Sequence, residues 1–166
     1  MRRKRKRFPA PAKVRAELED VRRLLRRWGA APERIALRGS ELSELNEKLN
    51  GLIGPSAADP SAAAADPMPG DPVLVSVILR EELTERCRSR MRELEELIRH
   101  EYAFCHAVER AIESLPPREE RLLRLFYRDR TDMDQLAQMF LLSRAQLFRV
   151  RRAAELALAP ILTDAA

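Results

Sequence analysis

The chain has 166 residues, 45% hydrophobic, 34% charged and 5% aromatic, with a formal net charge of +5. That length suits one domain or two small ones, and the composition favours helices over a dense globule. No run approaches the roughly 20 apolar residues of a membrane span, and the basic N-terminus lacks the apolar stretch of a secretory signal, so a cytoplasmic protein without a membrane partner is expected.

Residues 1–13 carry seven Lys/Arg and no acids. Such a run is attracted to any polyanion, and both a DNA-contacting arm and a solubilising tail remain open. Residues 14–116 carry fifteen basic and nineteen acidic residues, and residues 117–166 nine and seven, which makes a mildly acidic scaffold with basic ends. Residues 14–52 read as a helical hairpin. Val14, Leu18, Val21, Leu25 and Trp28 form one stripe ended near Gly29, and Ser40 is placed to cap a second helix with Leu42, Leu45, Leu49 and Leu52 on one side. Residues 53–72 hold five prolines, two glycines and six alanines, the composition of a linker.

The spacing predicts one long helix over 73–115. A heptad register runs through Val77, Thr84, Met91, Ile98, Cys105 and Ile112, with Cys87, Leu94, Val108 and Leu115 at the second position and Arg80 and Glu101 interrupting. Leu83, Leu97, Phe104 and Ala111 widen the stripe beyond a two-stranded coiled-coil seam. Its cover is either an intramolecular bundle or a second copy. A homo-oligomer, in particular a dimer broken by Met91→Glu or Leu94→Glu, is expected because the hairpin helices are too short to cover the whole stripe. Cys87 and Cys105 lie about 27 Å apart along a straight helix and cannot pair within it, so reduced thiols are expected.

Residues 116–159 hold three short helical patterns. Pro117 suits a first helical turn, with Glu119 and Glu120 at the positive end of the helix dipole. Leu122, Leu125 and Phe126 give one buried face, and Leu136 and Ala137 are the inward positions of the middle helix. Ser143 caps the last helix, about 143–156, in which Leu147, Val150 and Ala154 face inward. Arg144, Gln146, Arg149 and Arg152 then face outward, and these side-chain types hydrogen-bond base edges and phosphates. Two short helices pinned by a small core, with the second free to enter a major groove, make a helix-turn-helix.

The segment resembles region four of bacterial sigma factors. The shared features are Leu115-Pro116 followed by Arg118-Glu119, the Leu122-Leu123-x-Leu125-x-Tyr127 run, Leu136-Ala137, and Ser143-Arg144 followed by apolar Leu147 and Val150. The overall layout is similar to phage-encoded transcriptional regulators of the ArpU/RinA kind. Two positions depart from the family pattern: Leu141 stands where glycine is usual in the turn, and Phe148 where a polar residue is usual. A leucine at positive φ is strained.

The resemblance implies an all-α, sequence-specific DNA-binding regulator in a bacterial host cell, with double-stranded DNA as partner and RNA polymerase as a possible second one. Arg144, Gln146 and Arg149 are the base-contact candidates; Arg151 and Arg152 are the phosphate-contact candidates. No segment resembles sigma region two, which argues against an initiating sigma factor. A small terminase-like packaging subunit and a polymerase-gripping module that uses Phe148 are the competing classes. An enzyme is not expected. His100, Cys105 and His106 lie close in sequence, as do Glu95, Glu96 and Glu101, but without the ligand spacing of a metal site, and no phosphate loop is present, so no cofactor or metal is implied.

Overall fold

The computed structural model describes residues 12–53 and 72–163, and among these every regular element is helical. Most of the basic arm and the linker expected over 53–72 lie outside the described residues. The elements are α1 (Ala12–Gly29), α2 (Ala31–Ile53), α3 (Pro72–Glu113), α4 (Pro117–Leu123), a π-helical segment (Arg124–Arg128), α5 (Met133–Met139) and α6 (Arg144–Thr163). The all-α expectation holds, and α3 matches the long helix expected over 73–115.

Two boundaries differ from expectation. The second helix begins at Ala31 rather than at Ser40. Pro32 needs no N–H in a first turn, Glu33 complements the dipole there, and Ile35, Ala36 and Leu37 continue the helix. Gly39, with no neighbour near its missing side chain, is carried in the interior. The last helix runs on to Thr163, through Pro160, instead of ending near 156. The lost backbone donor is offset by packing, since Leu158, Ala159 and Leu162 are all buried.

The chain divides into two compact units. One joins the residues up to Pro32 to those from Tyr102 onward; the other spans Glu33–Glu101. The expected hairpin of residues 14–52 is therefore divided, because α1 belongs with the C-terminal helices. Its stripe of Leu18, Val21, Leu25 and Trp28 is buried as the spacing predicts, while Val14 lies outside the described side chains. Val21, Leu25 and Trp28 share a core with Cys105, Val108, Ala111, Ile112 and Leu115 of the α3 end, Leu123 and Tyr127, and Ala154, Leu158, Ala159 and Leu162 of α6. Trp28 Nε1 donates to Glu109 Oε1 at 3.4 Å, and Arg128 stacks over the Trp28 ring at 5.1 Å. Each guanidinium on an aromatic face adds about 0.5–1 kcal/mol at such a site.

In the other unit, α2 and α3 are joined through charge. Glu101, which breaks the heptad pattern, is buried and receives Arg34 Nη2 and Arg38 Nη1, the latter at 3.3 Å. Two arginines one helical turn apart on α2 thus hold one carboxylate of α3. A buried charge persists only when paired in this way. Leu94 is 1% exposed, whereas Val75, Ile78, Leu79 and Leu83 near the start of α3 are about half exposed.

Candidate nucleic-acid interface

The three C-terminal helical patterns fold onto a small core of their own. Leu122, Leu136 and Leu147, one from each pattern, are fully buried and touch Leu125, Phe126, Met133, Ala137, Phe140, Leu142 and Val150. Removing three leucines from water stabilises the cluster by about 1.5–3 kcal/mol each. That core fixes α6 across α5.

The turn between α5 and α6 closes as a Schellman motif. Leu142 N–H donates to Ala137 O at 2.9 Å, and Leu141 N–H donates to Gln138 O at 3.2 Å. Leu141 takes φ 53°, the left-handed conformation that suits glycine, so the position keeps the glycine geometry without the glycine. Its side chain is 91% exposed and gains no burial in return. Arg118 Nη2 donates to Phe140 O at 3.2 Å and so ties α4 to the end of α5, a role that no sequence signal marked.

At the other end of the turn a capping box starts α6. Ser143 Oγ accepts from Gln146 N–H at 3.3 Å, and Gln146 Oε1 accepts from Ser143 N–H at 2.9 Å and from its hydroxyl at 3.0 Å. Asp132 caps α5 in a similar way, accepting from Asp134 N–H at 2.9 Å.

Gln146 was expected to face outward as a base contact. It is exposed, but its carbonyl oxygen serves the cap, which leaves the NH2 as its donor to a ligand. Arg144 is exposed, with Nε 3.1 Å from Asp134. Arg149 is exposed and reaches back to Ala145 O at 3.2 Å, and Arg152 is exposed. From Arg144 to Ala154 the helix carries no acidic residue. Gln146, Arg149 and Arg152 therefore share an open face of amide and guanidinium donors, the equipment for phosphate oxygens and guanine edges, while Arg144 stands at the start of the helix, exposed but turned toward the Arg151 side.

Arg151 departs from them. Only 12% of its side chain is exposed; it lies over the Phe126 ring at 4.3 Å and the Phe148 ring at 5.0 Å, with Nε 3.1 Å from Glu155 Oε1. Two residues along a helix is about 200° of rotation, so Arg151 faces away from Arg149. Phe148, noted for its unusual position, is half exposed and serves as the outer cover of Arg151.

Glu155, which no sequence signal marks, organises the inner side of α6. It is fully buried. Arg22 Nε donates to Oε2 at 2.9 Å and the Tyr127 hydroxyl donates to Oε1 at 2.8 Å. Burial works against the Arg22 charge, but the hydrogen bond and negative charge of Glu155 outweigh it and raise the pKa. For Tyr127, burial first and the Glu155 charge second both push the phenol up. The carboxylate thereby joins α1, the π-helical segment and α6 at one point.

Among the described residues no group of three His, Cys, Asp or Glu side chains could hold a metal. His100 and His106 are exposed while Cys105 between them is buried, so the trio does not converge. No helix of the described residues is long and apolar enough to cross a membrane.

Comparison of the chain with protein-family models, with curated proteins and with solved structures finds no match in any of the three.

Proposed function

We propose that the chain is a sequence-specific regulator that binds double-stranded DNA, of the phage or prophage type, with the first turns of α6 in the major groove. One observation carries this reading: Arg144, Gln146, Arg149 and Arg152 stand exposed on the leading half of a helix that follows a capped Schellman turn, with no acidic side chain before the buried Glu155. The Arg144–Asp134 pair is exposed on both sides and contributes little, so it exchanges readily for a phosphate. The resemblance to sigma region four supports the same docking. A second copy of the chain, joined through the apolar start of α3, would present two such helices to a repeated site and raise affinity without a new base contact.

The test is a binding series on genomic fragments of the host that carries this chain, followed at several salt concentrations. Binding should fall steeply with salt, and Arg149→Ala should cost about 1–3 kcal/mol if it meets a base edge. An Arg149→Ala protein with wild-type affinity and salt slope would remove this face from the interface.

A further inference from the structure

A cleft of about 450 Å³ opens on the inner side of α6, lined by Arg22 and Arg26 of α1, Phe126 and Tyr127 of the π-helical segment, Arg130, and Arg151 of α6. We propose that this cleft is a binding site for a phosphate group, carried by a small phosphorylated ligand.

The charge balance points to an anion. Arg22, Arg26 and Arg151 bring three guanidinium groups to the cavity beside Arg130, against the buried Glu155, which pairs with Arg22 and Arg151, and the exposed Glu19, which pairs with Arg22. Glu155 spends its charge on Arg22 and Arg151 and so fixes both heads before any ligand arrives. Arg26 makes no ion pair among the described residues. Arginines held by one buried carboxylate are already ordered, which lowers the entropic cost of gripping an oxyanion.

Arg151 adds a further sign. Its Nε is enclosed 3.1 Å from Glu155 Oε1, which holds the guanidinium in place at the wall. Its Nη1 meets only the Met133 sulfur, at 3.8 Å, a weak acceptor. An arginine head whose outer nitrogen has only a weak acceptor, at the wall of a cationic cavity, is completed by phosphate oxygens, which match its fork geometry. The backbone around the site is also unusual. Phe126 and Tyr127 come from a π-helical segment, and Arg130 enters the lining from a left-handed residue at φ 53°. Such features cost energy and persist where the fold has a use for them.

The source of the phosphate follows from the helix geometry. Arg151 faces about 200° away from Arg149 and lies about 10 Å along the helix from Arg144, so a duplex seated on Gln146, Arg149 and Arg152 leaves the cleft open on the opposite flank. This favours a free ligand over a phosphate of the DNA backbone. The proposal goes beyond the DNA-binding reading and does not need it.

Titration calorimetry on the full chain with inorganic pyrophosphate tests the site, with Arg26→Ala and Arg130→Gly as variants. Arg26 is exposed, and glycine suits the backbone of residue 130, so both variants should fold, as far-ultraviolet circular dichroism would verify. Saturable binding at one site per chain is expected, weakened about tenfold by each variant, the loss of one charge-assisted hydrogen bond. An Arg23→Ala control, outside the cleft, should bind as wild type. DNA affinity unchanged in Arg26→Ala and Arg130→Gly would support a free ligand; a parallel loss, with pyrophosphate competing against DNA, would reassign the site to a backbone phosphate. No saturable binding, or binding that Arg26→Ala and Arg130→Gly leave intact, would overturn the proposal, whatever the outcome of the Arg149 series.

Discussion

The carbonyl oxygen of Tyr127 occupies the space that a side chain on Gly29 would need: a Cβ there would lie 2.0 Å from it. The end of α1 and the π-helical segment therefore meet backbone to backbone. The spacing marks Gly29 as the stop of a helix, and the fold gives it a second role, this close approach. Because the obstacle is a backbone atom, it cannot rotate away as a side chain would. Gly29→Ala should cost about 3 kcal/mol through forced separation of α1 from its partner helices. Urea unfolding followed by Trp28 fluorescence reads the loss directly, since Trp28 is fully buried beside the contact. A midpoint equal to wild type would mean that α1 does not seat there.

The Tyr127–Glu155 hydrogen bond makes stability sensitive to alkali. The phenol is raised from its ordinary value near 10, by burial first and by the Glu155 charge second. The folded state thus keeps a proton that the unfolded chain releases, so its contribution is fully present below pH of about 10 and is lost as pH rises beyond that. Tyr127→Phe should lower neutral stability by about 1 kcal/mol and flatten the alkaline decline. Denaturant midpoints at neutral and at strongly alkaline pH, compared between the two proteins, give the answer; equal alkaline slopes would exclude Tyr127 as the cause.

Glu155 itself should be far less tolerant. Glu155→Ala leaves Arg22 and Arg151 facing one another without a counter-charge in a partly buried setting. Breaking a buried pair in this manner costs about 3–5 kcal/mol. Adding Arg151→Met to Glu155→Ala should recover part of that loss, because one stranded cation is removed. A double variant no more stable than the single one would show that Arg151 finds solvent unaided.

Leu141 offers the opposite kind of change. Its left-handed φ of 53° is strained for leucine, and its side chain, 91% exposed, loses nothing on removal. Leu141→Gly should stabilise the domain by about 0.5–1 kcal/mol, as roughly 1–2 kcal/mol of strain is relieved and the greater chain freedom of glycine offsets part of it. A thermal midpoint that falls would mean that the exposed leucine has a contact of its own, most informatively one with a partner.

Assembly through α3 should respond at its beginning and not at its middle. The heptad register puts Leu94 at a subunit interface, but it is 1% exposed in the single chain, so Leu94→Glu should destabilise the fold rather than only dissociate a dimer. Val75, Ile78, Leu79 and Leu83 are the exposed apolar residues on one side of the helix. Light scattering at micromolar protein should show a dimer, with Leu79→Glu monomeric and still helical. A wild-type monomer would exclude this surface as a self-interface.

Helical periodicity made much of the fold legible. The stripe of α1, the part of the α3 stripe from Leu94 onward, the three leucines of the C-terminal core, the serine cap of α6 and even the strained Leu141 follow from local spacing, whereas Val77, Leu83 and Leu97 of the same α3 stripe stand exposed and Glu101 is buried. Local signals also carried the exposed side of α6, where Arg144, Arg149 and Arg152 need nothing but a helix to point outward. What they could not carry was pairing between distant segments. That α1 closes the C-terminal core, that Glu101 is clamped by Arg34 and Arg38, and that Glu155 gathers Arg22 and Tyr127 all depend on contacts between different elements. A charged residue on a helix reads as solvated until a partner from elsewhere buries it. Arg151 shows the consequence: helix spacing already turns it about 200° from Arg149, but only the folded chain, by stacking it between two phenylalanines against a buried carboxylate, takes it out of solvent.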